Sequence, residues 1–270
     1  MITSRQHPRI KLLASLKTRK GRKEEQKILV EGTRLVKEAS QYAEVSTLVV
    51  SELFLRQENA DTLINTVREK GAEVLEVSSS CYAKISDLKT PEGIAAVVRP
   101  RKFDPDELLN SSARLLVAGG IQNPGNAGAL VRTAEAAGAS GCLFLGGVDL
   151  THPRFIRGAM GGTFRLPCAA GEVAHFIEAA ARAGTRILAA RAGAGSIDYA
   201  DADYSPPVAI CLGAEGRGLP PEIERAADSS VFIPMAVPVE SLNAAVAAGI
   251  ILYRARRDWE GKSEVVKSEA

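Results

Sequence analysis

The chemistry-bearing residues of this 270-residue chain gather in three stretches marked by glycine and proline. The first, GGIQNPGNAGALVRTAEAAG, puts Asn123, Pro124 and Asn126 in a turn, with Gly125 and Gly128 permitting close backbone approach and Arg132 following inside a helix. An Asn turn, a helix N-terminus and an arginine near that end make a phosphate site; the same pattern is that of any well-capped helix. The second stretch, LGAEGRGLPPEI, sets Glu215 among Gly213, Gly216 and Gly218. A carboxylate there orients a basic group, accepts from a hydroxyl or backbone N–H, or simply fixes a strained glycine loop. The third, IPMAVPVESLNAAVAAG, delivers Ser241 and Asn243 to a helix start. Ser241 reads as the N-cap, because neither a GxSxG turn nor a suitably placed histidine is there to make it a nucleophile.

Other chemistries lack their residues. A strand, a glycine-containing turn, a helix and then Asp149 imitate a dinucleotide-binding unit, but Gly119 and Gly120 are adjacent and the next glycines are Gly125 and Gly128, so GxGxxG is missing. GAEGRGL lacks the Lys-Ser/Thr pair of a P-loop. Cys81, Cys142, Cys168 and Cys211 lie far apart, and with three histidines they form neither a zinc site nor a disulfide scaffold. Reduced thiols in a cytoplasmic protein are the expectation. The N-terminus MITSRQHPRIK has no apolar signal core, and no apolar run reaches about 18 residues, so neither secretion nor a membrane span is expected.

The elements that must position these loops repeat an α/β pattern. A short amphipathic helix is expected over about 8–22, then strand KILVEG, helix TRLVKEASQYA capped by Thr33, strand STLVVS, helix DTLINTVREKG, and strands EVLEVS and GIAAVVRP. Residues 1–100 thus form a small α/β domain, and RKFDPDELLNSSA (101–113) reads as a linker. Alternation resumes over 114–260 with RLLVAGG, NAGALVRTAEAAGA, GCLFLGG, a helical PRFIRGAMGG, HFIEAAARAG, TRILAAR, PVAICLG, SSVFIPM and a long final helix. Near-continuous apolar strands imply a parallel sheet covered on both faces, with ligands at the strand C-termini. The loops 119–128, 213–220 and 233–243 lie there, and residues 261–270 read as a flexible tail.

Composition adds a partner. The net charge is +2, but residues 1–37 carry eleven Lys/Arg against three acids, a net of +8, which leaves −6 for the rest. A basic arm on a mildly acidic body is the footprint of a polyanion binder, or a solvated helical face.

Taken in order, NPGNAGALVRTAEAAGA, LGAEGRGL and IPMAVPVESLNAAVAAGIILY resemble the three signature motifs of the SpoU (TrmH-like) RNA ribose 2′-O-methyltransferases of the SPOUT class. PRFIRGAMGGTFRLP is similar to the family's intervening segment, and ILVEGTRLVKEA through KTPEGIAAVV resembles the RNA substrate-binding domain of some members. The resemblance implies a C-terminal α/β domain with a trefoil knot, S-adenosylmethionine as methyl donor, no metal, and a homodimer whose site the partner subunit completes. By motif match Gly213, Ile233 and Leu242 are cofactor contacts, with Met235 and Asn243 as neighbours. Arg132 is the family's catalytic arginine; a guanidinium keeps its proton, so anchoring a phosphate and stabilising an oxyanion suit it better than general-base action. Asn126, Glu215, Ser241 and Asn243 are expected to orient it, the ribose and the donor. RNA contacts are expected from Arg5, Arg9, Arg19, Lys20, Arg22, Lys23 and Arg34. Large-subunit ribosomal RNA is the expected substrate; a tRNA, or RNA binding without catalysis, are the alternatives. One departure is Ala245, where many relatives carry Ser.

Overall fold

The computed structural model describes residues 1–58, 60–239 and 241–260, so the tail expected at 261–270 lies outside the described residues. It divides into two units: Met1–Arg101 with Thr151–Arg165, and Lys102–Leu150 with Leu166 onward.

The first unit is built on β1 (Ile28–Glu31), β2 (Val45–Ser51), β3 (Glu73–Val77) and β4 (Ile94–Val98), in the order β1-β4-β2-β3. β4 runs antiparallel to both its neighbours, while β2 and β3 are parallel, so this sheet is mixed. Around it lie α1 (Pro8–Ser15), α2 (Arg19–Glu25), α3 (Thr33–Tyr42), α4 (Glu52–Leu55), α5 (Ala60–Glu69) and α6 (Ser79–Ile85). The one helix expected over 8–22 is two. Thr18 takes an extended conformation and accepts from Gly21 N–H to start α2, and a Cβ on Gly21 would lie 2.2 Å from the Ser15 carbonyl oxygen. The apolar residues of this basic arm, Ile10, Leu13 and Leu16, are buried with Leu75, Tyr82 and Ile85. Thr33 is not the cap of α3. Gly32 holds that position, and Thr33 donates through its N–H (2.8 Å) and hydroxyl (2.6 Å) to Glu92.

The second unit follows in chain order. α7 (Pro105–Leu108) precedes β5 (Arg114–Gly119), α8 (Pro124–Ala137) and β6 (Gly141–Leu145). Then come α9 (Pro153–Gly158) and α10 (Gly162–Arg165), which cluster with the first unit although they lie between strands of the second. β7 (Cys168–Gly171), α11 (Val173–Ala183), β8 (Arg186–Ala190), β9 (Ile197–Asp198) and β10 (Val208–Gly213) continue, and α12 (Pro221–Ala226), β11 (Ser229–Phe232) and α13 (Ala244–Trp259) complete it. The described strands form one sheet, β7-β6-β5-β10-β8-β11-β9, with every pair parallel. β5, β6 and β10 are buried almost throughout, as their unbroken apolar runs require. From β5 the chain proceeds to β6 on one side, whereas β10 and β8 lie on the other. The order therefore reverses between β5 and β10, and a crevice opens at the C-terminal ends of those two strands. The stretch read as a linker is folded into this unit: Leu108, Leu109 and Ala113 join its core beside Leu115 and Phe176.

Candidate active site

β5 and β10 end in register, Gly119 beside Gly213. Neither position has room for a side chain. A Cβ on Gly213 would lie 2.0 Å from the Gly218 carbonyl carbon, and one on Gly119 would lie 2.6 Å from Pro220 Cδ. The loop after β10 therefore folds back over the strand ends. It is closed by Gly218 N–H to Ala214 O (2.9 Å) and Ala214 N–H to Gly218 O (3.1 Å), with Gly216 and Gly218 at φ +76° and +70°. That fold-back presents Glu215.

One oxygen of Glu215, Oε1, accepts from Asn126 Nδ2 (3.1 Å), Asn243 Nδ2 (2.5 Å) and the Ala244 N–H (3.3 Å). A single carboxylate thus joins the start of α8, the β10 loop and the start of α13, where a negative charge also complements the helix dipole. Asn243 bonds in a second direction as well, its Oδ1 accepting from the Ala245 N–H at 3.0 Å. Asn243, not Ser241, is therefore the N-cap of α13. The Ser-to-Ala departure at Ala245 leaves this backbone donor satisfied.

Two cavities adjoin here. The larger, about 420 Å³, is lined by Gly213, Ile233, Met235, Ser241 and Leu242, together with Glu215. Every expected cofactor contact except Asn243 is thus on its wall. Ala190–Ala192 from the end of β8, with Leu212, Ala247 and Ile251, also line it and were not foreseen. TRILAAR already read as a parallel strand, and the rule that ligands sit at strand C-termini was enough to find its end. The smaller cavity, about 230 Å³, is bounded by Gly120, Gln122, Asn123, Asn126 and Arg217. Ala214 and Glu215 belong to both walls.

Arg132 is placed differently from its expectation. It is the ninth of the 14 residues of α8, about 12 Å along the axis from the first, and not near the N-terminal end. Its side chain is exposed and lines neither cavity. The start of α8 is not an anion site either. Asn123 Oδ1 accepts from Gly125 N–H (2.8 Å) and Asn126 N–H (3.4 Å), and its carbonyl accepts from Ala127 N–H, so the first-turn donors are engaged.

The basic arm also divides. Arg5, Arg19, Lys20, Lys23 and Arg34 are exposed. Arg22 is only 4% exposed, and its guanidinium donates to Leu16 O (3.1 Å), Lys17 O (2.9 Å) and Thr151 Oγ1 (3.0 Å). It braces the turn between α1 and α2 and has no freedom to reach a phosphate, which corrects the expectation that it contacts RNA. Arg9 is hydrogen-bonded through both terminal nitrogens to Glu73, whose carboxyl this bonding holds below its ordinary value. Burial raises the thiols of Cys142 and Cys211, so neither is a ready nucleophile. Among the described residues no group of three or more His, Cys, Asp or Glu is arranged to hold a metal, and no helix is long and apolar enough to cross a membrane.

Comparison with known proteins places this geometry. The SpoU rRNA Methylase family matches residues 113–253, and the MRM3-like substrate binding domain matches residues 7–96. The chain is 28% identical over 256 residues to the 23S rRNA (guanosine(2553)-2′-O)-methyltransferase RlmP of Bacillus subtilis, covering 94% of this chain and 98% of that protein. The AdoMet-bound rRNA methyltransferase of Sinorhizobium meliloti superimposes with a TM-score of 0.84 at 32% identity, over 95% of this chain and 97% of the other. The SpoU methyltransferase AviRb of Streptomyces viridochromogenes, in complex with AdoMet, gives 0.82 at 28% identity, over 93% and 98%. With its three loops joined at Glu215 and these likenesses spanning nearly its whole length, the chain belongs to the SpoU rRNA methylase family.

Proposed function

We propose that this protein transfers a methyl group from S-adenosylmethionine to a ribose 2′-hydroxyl of RNA, with large-subunit ribosomal RNA as the substrate. The observation that carries this reading is the Glu215 carboxylate standing between two adjoining cavities while holding Asn126 and Asn243. The larger cavity fits the donor. Leu212, Leu242 and Ile251 supply apolar wall, and the irregular backbone at 233–236 and the exposed Ser241 hydroxyl supply polar contacts. When bound, the donor supplies a methyl group made electrophilic by its sulfonium.

The chain's own groups must present the hydroxyl and stabilise the charge that grows on its oxygen. Asn126 and Asn243, held by Glu215, keep the boundary between the cavities rigid, which is how orientation lowers a transfer barrier. Arg132, which lines neither cavity of its own subunit, works on the partner's site in a homodimer. The exposed apolar side chains of Val237, Val239, Val246 and Tyr253 are the surface we assign to that contact. The glycine and proline loops at 213–220 and 233–243 are the crossings of the family's knot in this reading. RNA is gripped by the exposed Arg5, Arg19, Lys20, Lys23 and Arg34; Arg22 is left out because it is buried, and Arg9 because Glu73 holds both its terminal nitrogens. A cytoplasmic location follows from an rRNA substrate.

Mapping 2′-O-methylation in rRNA and tRNA from a deletion strain tests the proposal. One missing 23S rRNA mark, restored by the wild-type gene, is the expected result. Loss of a tRNA mark instead would redirect the substrate, and an unchanged map would overturn the activity.

A further inference from the structure

The smaller cavity has polar walls whose side chains are only partly engaged. Asn123 is occupied in capping α8, and Asn126 gives Nδ2 to Glu215. What stays available is the whole amide of Gln122, the guanidinium of Arg217, Asn126 Oδ1 and Glu215 Oε2. Among the described residues, Gln122 and Arg217 make no side-chain hydrogen bond or ion pair, and both are exposed. Neither hangs on a loose segment. The Arg217 N–H donates to Ala214 O (3.2 Å) inside the closed loop, and Gly120 N–H donates to Leu145 O (2.9 Å) two residues before Gln122.

The chemistry of the available groups is specific. A primary amide presents a donor and an acceptor side by side, the pattern that matches the edge of a nucleobase. A guanidinium presents paired donors that match a phosphate. The position is equally informative. Ala214 and Glu215 form the boundary with the donor cavity, so a 2′-oxygen in line with the methyl group must stand at that boundary. The remainder of its nucleotide then extends into the smaller cavity.

We propose that this cavity receives the target nucleotide, with Gln122 reading the edge of its base and Arg217 holding an adjacent phosphate. The inference rests on the methyltransferase reading above and adds to it the residues that choose and seat the nucleotide. Gln122 is a specificity residue in this account, and Arg217 a substrate-binding one.

The test uses the full-length protein and an RNA fragment carrying the mapped site, in four forms that differ only in the target base. Wild-type enzyme should prefer one base. Q122A should narrow that preference by tenfold or more while leaving the KM for S-adenosylmethionine within twofold. R217A should raise the KM for RNA about tenfold with kcat little changed, and R217K should recover part of the loss. Binding of S-adenosylmethionine by calorimetry, unchanged in all three variants, excludes general disruption of the site. If the wild type methylates the fragment and the variants match it in base preference and KM, the nucleotide pocket is wrong while the activity stands. If the wild type transfers no methyl to any RNA, the functional reading falls and takes this one with it.

Discussion

Oε1 of Glu215 accepts from three donors on two different helix starts, and no other side chain of the site ties so many elements together. Replacing it by alanine leaves Asn126 and Asn243 free to rotate and the Ala244 N–H without its acceptor. Loss of hydrogen bonds to a charged group costs about 1.5–3 kcal/mol, so E215A should lower kcat/KM about ten- to a hundredfold and weaken S-adenosylmethionine in calorimetry. Unchanged rates would show that the carboxylate organises nothing. Arg22 offers the opposite case, a charge that looks functional in sequence and is structural in the fold. R22A removes donors from two backbone carbonyls and should cost about 1–3 kcal/mol in urea unfolding, whereas K23A, at an exposed position, should cost almost nothing. Equal stability of the two variants would sink the bracing role. The charge run alone did not separate these neighbours, because burial depends on where the chain turns at Leu16–Thr18.

At the scale of elements, the basic arm cannot be removed to test RNA binding. Deleting residues 1–23 would strip Ile10, Leu13 and Leu16 from the first unit's core and test folding instead. Charge reversal at exposed positions is the cleaner experiment. R19E/K20E/K23E should weaken RNA binding and flatten the slope of log K against log salt by roughly 2–3, with S-adenosylmethionine binding intact. Identical binding at low and high salt would remove these residues from the interface. The stretch 101–113 makes a second prediction. Leu108 is 5% exposed within the second unit's core, so L108A should destabilise by about 2–4 kcal/mol, read from the urea midpoint, where a true linker would tolerate it. Pro105 and the polar cluster marked a break in the alternation correctly as a pattern, but the two leucines between them had a core to enter. The elements that the sequence pattern leaves unmarked are short ones: α4, α6, α7, α10, β7, the two-residue β9 and α12. Their local preferences are weak, and neighbours supply their order.

At the scale of the whole molecule, the proposed homodimer can be tested through Arg132, which lines neither cavity. If it serves the partner's site, the R132A and E215A defects of a mixed dimer fall on the same site. One site then carries both changes and the other carries neither. Equal mixing after dissociation and reassociation should restore about a quarter of wild-type activity, since half of the dimers are mixed and each has one intact site. No recovery, with mixed dimers verified by mass, would place Arg132 on its own subunit's site.

The sequence by itself determined the α/β class, the strands and helices of most segments, the three loops and part of the larger cavity's wall. Those features are local: apolar runs make buried parallel strands, and glycine and proline mark where the chain must turn. Only the tertiary structure decided which side chains meet. Asn126 and Asn243 stand 89 and 28 residues from Glu215, and no spacing rule brings them to one oxygen. It also decided which cations are engaged, which residue caps α13, and that a second cavity opens beside the first. The site features depend on the strand order around β5 and β10, and the engaged cations on how α1 and α2 fold onto the first unit's core; both are set by packing between segments distant in sequence.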